Sequence, residues 1–166
     1  RTGWHLKMAG KVDLVDQEYF ATQIQPQIDG HHIEYLGEAN HLQKNDLMGN
    51  AVATLFPITW EEPFGLVMIE SMVAGTPVIA MNRGSVPEVI AHGQTGWVCE
   101  TVEDCIAAIE PVSQLDRQGC RNHIVQNFSV QRMTDGYEAI YQKVVAQQPA
   151  PTLRPSMVAA LANTLN

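Results

Sequence analysis

Two glutamates, Glu62 and Glu70, stand with seven residues between them on either side of Gly65, in the stretch FPITWEEPFGLVMIESMVAGTPVIA from Phe56 to Ala80. A buried strand is expected to end at Phe56, followed by an irregular loop and a helix opening near Phe64 or Gly65. Pro63 suits a helix entry, and Gly65 has no side chain to obstruct one. Such a helix start, placed beyond the carboxyl end of a strand, offers unpaired amides and a partial positive charge. The amides of Gly65, Leu66 and Val67 are therefore candidates to hold an anion.

The helix expected over Gly65 to Ala74 carries Leu66, Val67, Met68, Ile69, Met72 and Val73, apolar nearly all round, and reads as largely buried with Glu70 in its middle. No Lys or Arg stands three or four residues from Glu70. A buried, unpaired carboxylate is expensive, so its partner is expected from elsewhere. One suitable partner is a vicinal diol, whose two hydroxyls donate to the two carboxylate oxygens, as on ribose in dinucleotide-binding folds. The other is the backbone of a neighbouring loop. The rise from Gly65 to Glu70 is about 7.5 Å along a helix, which suits a diphosphate at the start and a ribose down the side. Glu62 either complements the positive helix end or contacts the group beyond the diphosphate. Glu61 has the same first option, and spacing alone does not separate the two.

These residues need a scaffold, and the chain alternates strand and helix patterns. Strands are expected at Trp4 to Ala9, Ile33 to Leu36, Ala51 to Phe56, Pro77 to Met81 and Gly96 to Cys99. Helices are expected from Asp16, as a cap, to Ile28 with Tyr19, Phe20 and Ile24 inward, and over Lys44 to Asn50, Gly65 to Ala74 and Val86 to Ala91. Short connections between alternating elements imply parallel pairing with helices on both faces, a Rossmann-like doubly wound α/β sheet in one domain. After Cys99 the pattern is helical, at Thr101 to Ile109, Gln114 to Gln126 and Ser129 to Gln147. Gly75-Thr76-Pro77 reads as a helix C-cap. Gly84-Ser85 and Glu88 fall on or beside a turn at the ligand edge of the sheet. A Pro-containing linker and tail are expected over 148–166, with a short helix at Ser156 to Asn166.

Composition narrows the function. The 166 residues, 45% of them hydrophobic, suffice for one domain. No apolar run approaches the ~20 residues of a membrane-spanning helix. The formal charge of -8 is the wrong sign for a broad grip on nucleic acid, while one phosphorylated small molecule remains compatible. Cys99, Cys105 and Cys120 are odd in number and lack a Cys-x-x-Cys pair, which fits reduced thiols and a cytoplasmic setting. The start, lacking a signal-peptide layout, reads as a cut inside a longer protein. His31-His32 has no third ligand near it in sequence and reads as loop surface, so no metal site is expected. Neither a Gly-x-Ser-x-Gly elbow nor a Walker loop is present.

The stretch EEPFGLVMIESMVAGTPVIA, followed by RGSVPEVI and GQTGWV, resembles the signature of glycosyltransferase family 4, the group 1 retaining transferases of GT-B fold, with Glu62 and Glu70 matching the family's paired glutamates. HLKMAG, IEYLGEA and NDLMGNAVATLFP upstream, and Phe128-Ser129 with Tyr137 and Tyr141 downstream, extend the likeness over nearly all of residues 4 to 145.

The resemblance implies that residues 1–147 are the C-terminal, donor-binding domain of a two-domain enzyme, with its first strand and the loop bearing a cationic Arg and Lys lying upstream of residue 1. That role is carried over neither to Arg1, which lies close to the passage into the strand at Trp4, nor to Lys11, which follows that strand. By resemblance the donor, a nucleotide-diphosphate sugar, meets Glu62, Phe64, Gly65, Leu66, Val67 and Glu70. Glu62 would serve as the catalytic residue that orients sugar hydroxyls, and Glu70 would hold the ribose. No cofactor or essential metal is implied. Partners would be an acceptor of saccharide, lipid or small-molecule type and the N-terminal domain, in a cytoplasmic enzyme that can sit at a membrane surface. The segment alone is expected to be inactive. Two other readings stand beside it, a non-catalytic nucleotide-sugar-binding module and a sugar-nucleotide epimerase of the same architecture.

Overall fold

The computed structural model describes residues 2–147, and the expected linker and the short helix over Ser156 to Asn166 lie outside the described residues. The described residues divide into two units, with the boundary between Phe128 and Ser129.

In the first unit all five expected strands form, and every pairing is parallel. Strands β1 (Leu6–Met8) and β2 (Ile33–Tyr35) make one ladder, with Leu6 opposite Ile33 and Met8 opposite Tyr35. Strands β3 (Thr54–Phe56), β4 (Val78–Met81) and β5 (Gly96–Cys99) make a second, with β4 central. The strands thus form a Rossmann-like α/β arrangement in two ladders rather than one continuous sheet. Among the described residues before Met48 none is buried, so β1 and β2 lie outside the main core.

That core is organised by β4. Successive strand residues point to opposite faces, and here both faces are covered. Val78 and Ala80 pack with Met68 and Met72 of α3 (Leu66–Val73), Val86 and Val89 of α4 (Val86–Val89), and Cys120 and Ile124 of α6 (Arg117–Asn127). On the opposite face, Ile79 packs with Cys99 and with Ala108 and Val112 of α5 (Val102–Val112). Gly96 permits the close approach of β5, since a Cβ there would lie 2.1 Å from the Val78 carbonyl oxygen.

Helix ends follow their capping residues. Asn40 and Gln43 form a reciprocal capping box at the start of α2 (His41–Asn50), and Thr101 and Asp104 form another at α5. Helix α3 ends in a Schellman motif, the Gly75 amide donating to the Met72 carbonyl and the Thr76 amide to that of Ser71, both at 2.9 Å. The Gly75-Thr76-Pro77 expectation therefore holds. The carboxyl end of α2 is tied down by Arg117, whose guanidinium donates to the Gly49 and Ala51 carbonyls at 2.7 and 2.8 Å and to the Thr76 hydroxyl at 2.7 Å. The Thr76 hydroxyl donates to the Met48 carbonyl at 2.5 Å.

The single helix expected from Asp16 to Ile28 is a run of short pieces. A 3-10 turn at Leu14–Asp16 leads into α1 (Gln17–Tyr19), a π turn at Phe20–Ile24 and a 3-10 turn at Gln25–Gln27. Asp16 makes no side-chain cap, and Pro26, which has no N–H, cannot continue an α-helical ladder. Phe20 is half-buried, with its ring 4.9 Å from that of Tyr35, whereas Tyr19 is exposed.

The second unit contains α7 (Val130–Gln147), where Met133, Tyr137, Ile140 and Val144 recur at helical spacing. Among the described residues no helix is long and apolar enough to cross a membrane.

Candidate functional site

The loop after β3 and the loop after β4 leave the same edge of a parallel ladder, and hydrogen bonds lace them together. The Gly84 amide donates to the Glu61 carboxylate at 2.5 Å, and the Ser85 amide donates to the Glu62 carbonyl at 2.9 Å. Glu61 is thereby distinguished from Glu62, which spacing alone does not achieve. The edge so formed is the carboxyl end of the strands, where ligands of open α/β sheets bind.

Gly65 is the N-cap of α3, with φ 74° and ψ 64°. The left-handed backbone disfavours a side chain, and a Cβ would also lie 2.4 Å from the Met68 methyl carbon. Glu62 folds back onto this turn. Its Oε1 accepts the Gly65 amide at 3.1 Å, and its Oε2 accepts the Trp60 indole N–H at 3.1 Å. The anion at the helix start in this structure is thus a side chain of the protein. Phe64 and Leu66 are exposed, Val67 is half-buried, and Phe64 lies edge-on to Phe128 with ring centres 6.2 Å apart.

Glu70 requires a correction. Its position on an apolar helix predicts a buried carboxylate, yet its side chain is 34% exposed. Its partner is Lys44 of α2, whose Nζ lies 2.5 Å from Oε1. The physical reason is that α2 packs beside α3, so a cation 26 residues upstream reaches a helix that has no cation of its own at helical spacing. One sequence signal was available. Lys44 precedes buried Met48 by one helical turn, so both lie on the face of α2 turned to the core.

The structure brings together Glu62, Gly65, Leu66, Val67 and Glu70 along the first turns of α3 and sets Phe64 at their edge. Residues missing from the sequence reading are Lys44, Glu61 in its role as receiver of the Gly84 amide, and Arg117. Two concavities of about 350 and 330 Å³ lie elsewhere, one lined by Trp4, Ile106 and Ile109, the other by Lys7, Leu36 and Gln43. Neither includes Glu62 or Glu70. The amides of His31, His32 and Ile33 donate to one oxygen of Asp29, which holds this carboxyl at about 2. Among the described residues no group of three or more His, Cys, Asp and Glu could hold a metal ion.

A family model described as glycosyl transferases group 1 matches residues 1–127. An N-acetyl-alpha-D-glucosaminyl L-malate synthase of Bacillus anthracis is 31% identical over 127 residues, covering 69% of this chain and 32% of the relative. A glycogen synthase of Mycobacterium tuberculosis is 30% identical over 129 residues, covering 72% of this chain and 31% of the relative. Among solved structures, the sucrose-phosphate synthase of Thermosynechococcus elongatus superposes with a TM-score of 0.71 at 21% identity, over 87% of this chain and 39% of that one. Anabaena HepE, solved in complex with UDP, gives 0.69 at 20% identity, over 84% and 41%. The chain spans about a third of the length of these two curated relatives.

Proposed function

The chain belongs to the group 1 glycosyl transferases, and from that premise we propose that it is the C-terminal, donor-binding domain of a retaining family 4 enzyme of GT-B architecture. In this reading the enzyme moves a hexosyl unit from a nucleotide-diphosphate sugar to an acceptor. The observation that carries the reading is the placement of Glu62 and Glu70 on either side of the glycine-capped start of α3, at the carboxyl edge of the sheet.

The chemistry follows from charge. When the diphosphate departs, negative charge gathers on the leaving oxygen and oxocarbenium character on the sugar, so groups that stabilise either lower the barrier. The Gly65, Leu66 and Val67 amides and the helix dipole face the first of these. Glu62, swung from the Gly65 amide, orients sugar hydroxyls, with Phe64 beside it. Glu70 accepts from the ribose diol. The acceptor attacks the face from which the diphosphate leaves, with no essential metal. The acceptor surface belongs to a second, N-terminal domain, so the 166-residue segment by itself binds donor and does not transfer sugar.

The test is a binding panel of UDP, ADP and GDP and their glucose conjugates, followed by backbone amide shifts. A nucleoside diphosphate is expected to raise the unfolding temperature by mass action and to shift the amides of residues 62–70. Binding that shifts amides elsewhere and leaves 62–70 unmoved refutes the site.

A further inference from the structure

Lys44 reaches Glu70 from a helix that is fixed at both ends. At the amino end, the Gln43 amide donates to Asn40 Oδ1 at 3.0 Å and the Asn40 amide to Gln43 Oε1 at 2.9 Å. At the carboxyl end, Thr76 and Arg117 take the carbonyls of Met48, Gly49 and Ala51. Lys44 thus arrives at α3 on a framework that does not depend on the ion pair itself.

The pair explains little stability. Both side chains are about one-third exposed, 31% for Lys44 and 34% for Glu70, and solvent screening leaves ion pairs in such surroundings with little net effect on stability. What it does is geometric. Among the described residues the ammonium takes Oε1 of Glu70, and Oε2 takes no hydrogen bond. A carboxylate offers roughly four acceptor positions, so about three remain, enough for both hydroxyls of a diol. An ammonium only donates, so it uses acceptor capacity on Oε1 and holds the carboxylate turned to one fixed side.

We propose that Lys44 is a positioning residue of the nucleotide site: it clamps Glu70 by Oε1 and presents the remaining acceptor positions to the cis-diol of a nucleoside diphosphate. The inference rests on reading Glu70 as the ribose acceptor. It adds a residue on α2, outside the 62–70 segment, to the determinants of ribose recognition.

The experiment measures dissociation constants of UDP, ADP and GDP, each against its 2′-deoxy counterpart, for the 166-residue chain and its Lys44→Met and Lys44→Arg variants. The unmodified chain is expected to favour the ribonucleotide. Lys44→Met is expected to weaken the ribonucleotide about tenfold and pull the ribo-to-deoxy ratio towards one, because the unclamped carboxylate loses its fixed orientation. Lys44→Arg, which keeps a cation on Oε1, is expected to retain most of the preference. An unchanged ratio in Lys44→Met overturns the role of Lys44 while the site reading stands. Equal weakening of ribo and deoxy forms also overturns it, because it makes Lys44 a phosphate contact. Failure of Lys44→Met to fold overturns it as well, since the pair would then be a stability element. If the unmodified chain binds none of the six nucleotides, or binds ribo and deoxy forms alike, the Glu70 reading itself fails.

Discussion

Gly84 lies so close against Glu62 that a Cβ on it would sit 2.3 Å from the Glu62 carbonyl oxygen and 2.5 Å from the Glu62 nitrogen. Both are backbone atoms, which cannot turn aside as a side chain can. The contact sets how far the loop after β4 can settle onto the loop after β3.

Gly84→Ala therefore meets both a clash and a φ of +52° that L side chains rarely adopt. The expected cost is roughly 1 to 3 kcal/mol of stability, together with separation of the two loops. Denaturant unfolding gives the first and amide shifts at Glu61, Glu62 and Ser85 give the second. An Ala variant with the stability and shifts of the parent would show that the loops are not held by this contact.

Glu62→Gln separates two roles. An amide oxygen still accepts the Gly65 N–H, but the NH2 that replaces Oε2 cannot accept the Trp60 indole N–H. Stability is therefore expected to fall by the lost charge at a helix start, about 0.3 to 1 kcal/mol, and by that one exposed hydrogen bond. In the enzyme complete with its acceptor domain, turnover is expected to fall by more than nucleotide affinity does, because the proposed contacts are to the sugar in the transition state. Equal losses in turnover and in bare nucleotide binding would move Glu62 to a structural role.

The thiols supply a pH prediction. Burial pushes the Cys99 thiol up to about 12, and raises Cys105 and Cys120 above the ordinary thiol value for the same leading reason. The thiolate is the reactive form, so a disulfide reagent at about pH 8 is expected to modify the folded protein slowly and the unfolded protein at once. Cys105 is partly exposed and is expected to react first, with Cys99 and Cys120 following only on unfolding. Rapid loss of all three thiols in the native state would contradict the burial.

How much was legible depended on whether a residue's surroundings were local. Strands from β1 to β5 could be read because short apolar runs between turn residues repeat the same local pattern, and Gly75 marked its own helix end. The start of α3 was legible for the same reason, since Gly65 acts on its own backbone, although Gly65 is the cap and Pro63 stands two residues before it rather than in the first turn. Lys44 beside Glu70 was not, because the pair joins residues 26 apart on two helices and no local period encodes it. Glu61 could not be told from Glu62 because the difference lies in Gly84, 23 residues downstream of Glu61. The stretch from Asp16 to Ile28 reads as one helix because Tyr19, Phe20 and Ile24 recur at helical spacing, while Pro26 removes the N–H that the last turn requires.

Arg117 carries a consequence for the order in which the molecule assembles. Its bonds to Ala51 and Gly49 close separations of 66 and 68 residues, and the one to Thr76 closes 41. Loops of that length are entropically unfavourable to close until other contacts have drawn their ends together, here the parallel ladder of β3, β4 and β5. The guanidinium should therefore find its three oxygens after the rate-limiting step, as a latch fastened once the frame stands. Replacing Arg117 by Met is then expected to speed unfolding while leaving the refolding rate nearly unchanged. A refolding arm that slows by as much as the unfolding arm quickens would place the latch inside the folding nucleus.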